Sequence, residues 1–192
     1  FDIDTPTDLA ILQLHPGGSP HIRTYVDSLK LDSSRLRQAV QLFGNKKAEV
    51  LVAGRVGSHL WAQLEQRTAC RVRLLSEERG LRADGREEMG EGHTILGFYL
   101  EAVGPQRFFR DLARLGDAAF LDTRIIFHHL HLHPTQEDRF LSDLGESSQI
   151  EDPFIREFTQ EAVAAPIPVV LGVHSLVSGG LLALLEALPG KG

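Results

Sequence analysis

Four short strand-like runs, each followed by a polar or glycine-bearing turn and then a stretch of helical period, constrain this chain more than any other feature. They are residues 50–53 in AEVLVAGRVGSHLWAQLEQ, 70–75 in CRVRLLSE, 118–122 in DAAFLDTRIIF and 168–172 in IPVVLG. A short run that is apolar throughout, rather than alternating, belongs to a strand buried on both faces of a sheet. After the first run, Gly54 to Ser58 form a small turn, and Leu60, Trp61 and Leu64 begin a helix. Strands alternating with helices imply right-handed crossovers. The expectation is an α/β chain: a Rossmann-like three-layer sandwich around a mostly parallel sheet of about four strands.

The helical stretches carry their own punctuation. In DSSRLRQAVQLFG, Asp32 or Ser33 can cap the first amides, and Gly44 sits where a left-handed stop belongs. Leu36, Val40 and Phe43 fall at i, i+4 and i+7 and share a face. Residues 94–115 have helical period but are broken by Gly104-Pro105, which predicts two helices with Pro105 near the start of the second. QEDRFLSDL and DPFIREFTQEAVAA read as amphipathic helices, and Trp61 and the Phe108-Phe109 pair read as core. The last helix is apolar nearly all round through Leu181, Leu182, Leu184, Leu185 and Leu188. It needs cover on both sides, from the sheet or from a second copy of the chain. QLHPGGSPHIRT, residues 13–24, concentrates Pro, Gly and His without period and reads as a linker before an α/β domain over 25–192.

Composition narrows the partners. A net charge of -6 argues against a nucleic-acid backbone. The single cysteine, Cys70, excludes an internal disulfide and any zinc site built mainly of thiolates. No apolar run approaches the roughly 18 residues that suggest a membrane span. The expectation is a cytoplasmic chain whose partner is a small molecule, with a homodimer as a further possibility.

In a parallel sheet, ligands bind beyond the carboxyl ends of the strands. Those ends are polar here: GRVGS, SEERG, DTR and GVHSLVSGG. Gly54 and Gly57 allow close backbone approach, and Ser58, Ser175 and Ser178 add hydroxyls near helix starts, a combination suited to phosphate. Arg55, Arg79 and Arg124 can add charge-assisted contacts. GRVGS matches neither a dinucleotide fingerprint nor a Walker loop, so no nucleotide is specified. Glu77 and Glu78 point in different directions, so one of them, with Glu77 the candidate, can face the site and pair with Arg79 or Arg82 or act as a base or metal ligand; the alternative is an exposed charged loop. Asp122 and Arg124, two apart on a strand, share a face, and Asp122 is either catalytic or half of a buried ion pair. His174 beside Ser175 suggests base and nucleophile, although adjacent residues rarely reach that geometry and no nucleophile-elbow motif surrounds either serine.

FHHLHLHP invites a metal reading. On an extended segment His129, His131 and His133 line one face, with Glu137 and Asp138 nearby. Alternate side chains on a strand stand about 7 Å apart, too far for one ion, so a surface histidine cluster is the competing reading.

The opening DIDTPTDL resembles the closing motif of nucleotidyltransferases of the molybdopterin-guanylyltransferase and phospholactate-guanylyltransferase type. The resemblance covers about 12 of the 192 residues. In that family the acid just before Thr-Pro lies near the metal and nucleotide phosphates, which implies such a role for Asp4 and, less closely, for Asp2. The family's N-terminal Gly-rich loop and mid-chain metal Asp have no counterpart here. The resemblance therefore implies residues 1–12 as the tail of an upstream nucleotidyltransferase domain, with Mg²⁺ and NTP belonging to that domain and this chain alone inactive as one. Asp4-Thr5-Pro6 also reads as a helix cap. The functional expectation is an accessory domain that binds a phosphorylated or anionic small molecule, the alternative being an assembly domain that uses the apolar last helix.

Overall fold

The computed structural model describes residues 2–77 and 92–188. Along the chain run α1 (Pro6–Leu14), α2 (Pro20–Ser28), α3 (Ser34–Gln41), β1 (Glu49–Gly54), α4 (Ser58–Arg67), β2 (Arg71–Ser76) and α5 (Ile95–Leu112). Then come β3 (Ala118–Asp122), α6 (Thr123–His129), α7 (Gln136–Leu144), α8 (Pro153–Ala164), β4 (Val169–Gly172) and α9 (Leu181–Glu186). The strands form one parallel sheet in the order β2-β1-β3-β4. All four strands predicted from the sequence are present, each within a residue or two of its expected bounds. The fold is the expected α/β sandwich.

The sheet separates two apolar layers. Val50, Val52 and Phe120 face a core shared with Ile11, Leu36, Phe43, Leu60, Leu64, Leu181 and Leu184. Leu51, Ala53, Leu121 and Leu171 face the other, with Phe108, Phe109, Ile126, Ile155 and Phe158. Strand residues alternate between these layers, so the central strands must be apolar at every position. The apolar last helix finds its cover inside the chain: Leu181, Leu184 and Leu185 are buried, and Leu182 and Leu188 pack against the same layer.

Several local expectations change. Residues 13–24 hold the end of α1 and the start of α2 rather than an unstructured connection. Helix α1 is part of the core: Ile11 is fully buried, and the Thr7 hydroxyl donates to the Leu171 carbonyl of β4 at 3.0 Å. The cap reading of the opening holds. Thr5 is the N-cap, Pro6 the first helical residue, and Asp8 completes a capping box by accepting the Thr5 N–H at 2.9 Å. Gly44 ends a short 3₁₀ turn without a positive φ, so α3 does not use a left-handed stop. Gly104 does break α5, with φ 74° ahead of Pro105, as its sequence predicts.

The largest change follows β3. The DTRIIF segment leaves the sheet at Asp122 and turns at once into α6. Ile125, Ile126 and Phe127 are buried on a helix, not a strand. His128 and His129 therefore lie in its last turn, and His131 follows with φ 55°. The histidines do not line a strand face, and they divide between interior and surface, with His131 and His133 exposed. His129 is buried, accepts the Thr94 N–H at Nδ1 (3.2 Å), and places Nε2 3.4 Å from Glu101 Oε2. Its ring lies against the face of Gly97, where a Cβ would come within 2.3 Å of it. Among the described residues, no group of three or more His, Cys, Asp or Glu is placed to hold a metal ion. Nor is any described helix long and apolar enough to cross a membrane.

Candidate functional site

Strand order decides where the sheet opens. From β1 the chain crosses to β2 on one side, then returns past β1 to β3 and β4 on the other. The connections reverse between β1 and β3, and at such a switch point the helices after the two strands go to opposite faces and leave a crevice at the carboxyl edge. Gly54-Arg55 after β1 and Asp122-Thr123-Arg124 after β3 stand at that crevice.

Gly54 is required there. Its φ of 136° is a conformation that L side chains rarely adopt, and an added Cβ would lie 2.2 Å from Asp122 Cβ. The close approach lets Arg55 fold back on Asp122, donating from Nε to Oδ2 at 2.7 Å and from Nη2 to Oδ1 at 3.0 Å. The Asp122 side chain has no solvent exposure and that of Arg55 keeps 18%. Of the two readings of Asp122, this geometry is the buried ion pair, with Arg55 as the partner. Arg124 is not across a strand face from Asp122 but one residue into α6. The neighbouring Thr123 hydroxyl donates to the Gly172 carbonyl at 2.9 Å, tying the start of α6 to the end of β4.

Beyond this pair lies a cleft of about 480 Å³, lined by Arg55, Arg124, His174, Ser175, Ser178 and Asp4, with Asp2, Val173 and Gly179 completing it. Five of the residues expected to gather at the strand ends do so, and the opening motif joins them through Asp4. The Ser175 Oγ is shut off from solvent and has no hydrogen-bond partner. It is therefore not bonded to His174, and the base–nucleophile pairing expected as one reading is absent. The Ser178 hydroxyl donates to the His174 carbonyl at 2.6 Å, so its proton is committed to the turn after β4.

Other expected site residues fall elsewhere. Gly57 caps α4, and Ser58, its first residue, is exposed and outside the cleft. Glu77, past the end of edge strand β2, accepts a hydrogen bond from the Thr94 hydroxyl and so ties β2 to the start of α5; it does not line the cleft. Glu78, Arg79 and Arg82 lie outside the described residues. No family model, curated protein or solved structure matches the chain.

A second group, which sequence reasoning missed, lies behind the cleft. Asp8 of α1 is fully buried, with Oδ2 engaged by Asp4, Thr5 and its hydroxyl, while Oδ1 has no partner. Asp143, near the end of α7, has an equally unpartnered, sealed Oδ2. Burial, reinforced by the charge of Asp8 and opposed by that of Arg139, pushes the Asp143 carboxyl up to about 8. Asp143 and Arg139 line a cavity of about 230 Å³ that shares Arg124 and Val173 with the cleft. The Asp8 side of this group could have been flagged from the capping-box spacing Thr5-Pro6-Thr7-Asp8. Nothing in QEDRFLSDL distinguishes Asp143 from an ordinary solvated helix acid.

Proposed function

We propose that this chain is a small-molecule-binding α/β domain whose switch-point cleft takes a phosphorylated or otherwise anionic ligand, as an accessory part of a nucleotidyltransferase-like protein. The observation that carries the reading is the buried, unpartnered Ser175 hydroxyl in a cleft walled by Arg124. A buried hydroxyl without a partner costs roughly 1–3 kcal/mol, and a ligand oxygen removes that cost while gaining the Arg124 charge. Arg55 contributes differently. Its guanidinium is held by Asp122, so it serves as a fixed wall of the cleft. The DIDTPTDL resemblance supports the nucleotidyltransferase setting, and Asp4 of that motif lines the cleft.

Thermal-shift and calorimetric titration with inorganic phosphate and glycerol 3-phosphate tests the reading. Ser175→Ala should weaken binding by roughly tenfold or more, the worth of one hydrogen bond to a charged acceptor, without lowering the melting temperature of the free protein. Arg124→Ala should weaken it by roughly tenfold to a hundredfold, as expected for a charge-assisted bond. Phosphate probes that shift both variants as much as the parent would remove the cleft as the site.

A further inference from the structure

We infer that the cavity between α6 and α7 is a separate binding site for the carboxylate of a small, partly apolar molecule, held by Arg139 and Asp143. The cavity, about 230 Å³, is lined by apolar residues including Phe127, Leu132 and Val173 and by six polar ones, among them Arg124, Arg139 and Asp143. The Nε of Arg139 and the Oδ2 of Asp143 are both sealed from solvent, and neither has a hydrogen-bond partner. A guanidinium N–H only donates, and an unmet charged donor is among the costlier groups to bury. Asp143 also donates at neutral pH, because desolvation and the nearby Asp8 hold its proton on up to about 8.

The unmet Arg139 donor, near an Asp143 carboxyl that burial keeps from ionising, calls for a ligand acceptor. The Arg139 charge, with Arg124 on the shared wall, favours an anion. A carboxylate supplies two coplanar oxygens, one for each donor, and the apolar wall takes the hydrocarbon behind it. A fully oxygenated anion would leave that wall unused. The site does not rest on the phosphate reading of the cleft, although the two spaces adjoin.

The test uses the full chain and butyrate or benzoate as probes, followed by ligand-observed NMR and calorimetry, with butyramide as the uncharged control. Saturable binding of butyrate is expected near the millimolar range, well inside the ceiling for a ligand of so few atoms. Arg139→Gln should weaken it at least roughly tenfold, since a charge-assisted bond is lost. Asp143→Asn, which keeps a donor, should leave it within about threefold, and Asp143→Leu should not. Ser175→Ala should leave it unchanged, which separates this site from the cleft. Leu132→Trp, which fills the apolar side without touching Arg139 or Asp143, should abolish binding even if Arg139→Gln folds poorly. No saturable binding of either probe, equal binding of butyramide, or indifference to both Arg139→Gln and Leu132→Trp would overturn the inference. Phosphate binding that survives in the cleft would then stand alone.

Discussion

The carboxylate of Asp122, fully buried at the end of β3, receives both Nε–H and Nη2–H of Arg55 from the end of β1, at 2.7 and 3.0 Å. This bidentate pair pins the two strands on either side of the switch point, and Gly54 makes room for it. Removing Arg55 leaves a buried charge without a partner, a change that typically costs about 3–5 kcal/mol. Arg55→Ala should therefore lower the melting temperature by on the order of 10 °C for a chain of this size. The double variant Arg55→Ala with Asp122→Ala should be less destabilised than the sum of the two singles. Additive losses in that cycle would show that the residues do not act as a pair.

Asp143 makes stability depend on pH in a definite direction. Its carboxyl is held up to about 8 in the folded chain, by burial first and the Asp8 charge second, against about 3.9 unfolded. A raised carboxyl means that the folded state binds a proton which the unfolded state releases. This contribution is fully present below about pH 4 and is lost as pH rises through about 8. Other groups act in the same range, so the informative quantity is a difference. Asp143→Asn should be about as stable as the parent at pH 5 and more stable at pH 9, by a few kcal/mol at most. Parallel denaturation curves for parent and variant across that range would show that Asp143 is ionised throughout.

What the sequence made legible follows from what each signal measures. The strand positions were readable because burial on both faces leaves a run such as Val50–Ala53 no polar position. The cleft residues Arg55, Arg124, His174, Ser175 and Ser178 were readable because a parallel sheet sends its strand ends to one edge. Thr123–His129 misled because Ile125-Ile126-Phe127 is apolar in either period, and a run that short cannot tell a buried helix turn from a strand. The histidine expectations inherited that error. Asp143 and Arg139 were invisible for a different reason. Their sealed atoms depend on what packs around α7, which contacts α1, α8 and β4, and no local pattern encodes which polar face a distant element will cover.

The same distant packing governs α1. Ile11 is fully buried among Leu176, Val177 and Leu181, and its Cδ1 fills the space over Gly180, where a Cβ would meet it at 2.7 Å. Ile11→Ala should cost about 2–5 kcal/mol, as large-to-small changes in closed cores do. Deleting residues 2–14 should do worse, since it also uncovers the layer under the sheet and frees the Leu171 carbonyl held by Thr7. Chemical denaturation of both variants checks this. A deletion variant that melts cooperatively at the parent temperature would show α1 to be an appendage.

Asp4 offers a last test, because it is an acid in a cleft read as anion-binding. Its side chain is exposed and shares the cleft with Arg124 and Ser175. If the anion binds the protein directly, the Asp4 charge opposes it through solvent, an effect worth at most about 1 kcal/mol at contact distance in water. Asp4→Asn should then tighten phosphate binding by roughly twofold to fivefold at low ionic strength, and the gain should fade in 0.5 M salt as screening shortens its reach. If a divalent cation bridges the acid to the phosphate instead, the same substitution weakens binding, and only when Mg²⁺ is present. Titrations of parent and Asp4→Asn with phosphate, with and without Mg²⁺ at two salt concentrations, separate the cases. Tighter binding without the cation is the expected result, and Mg²⁺-dependent weakening would make Asp4 a metal ligand.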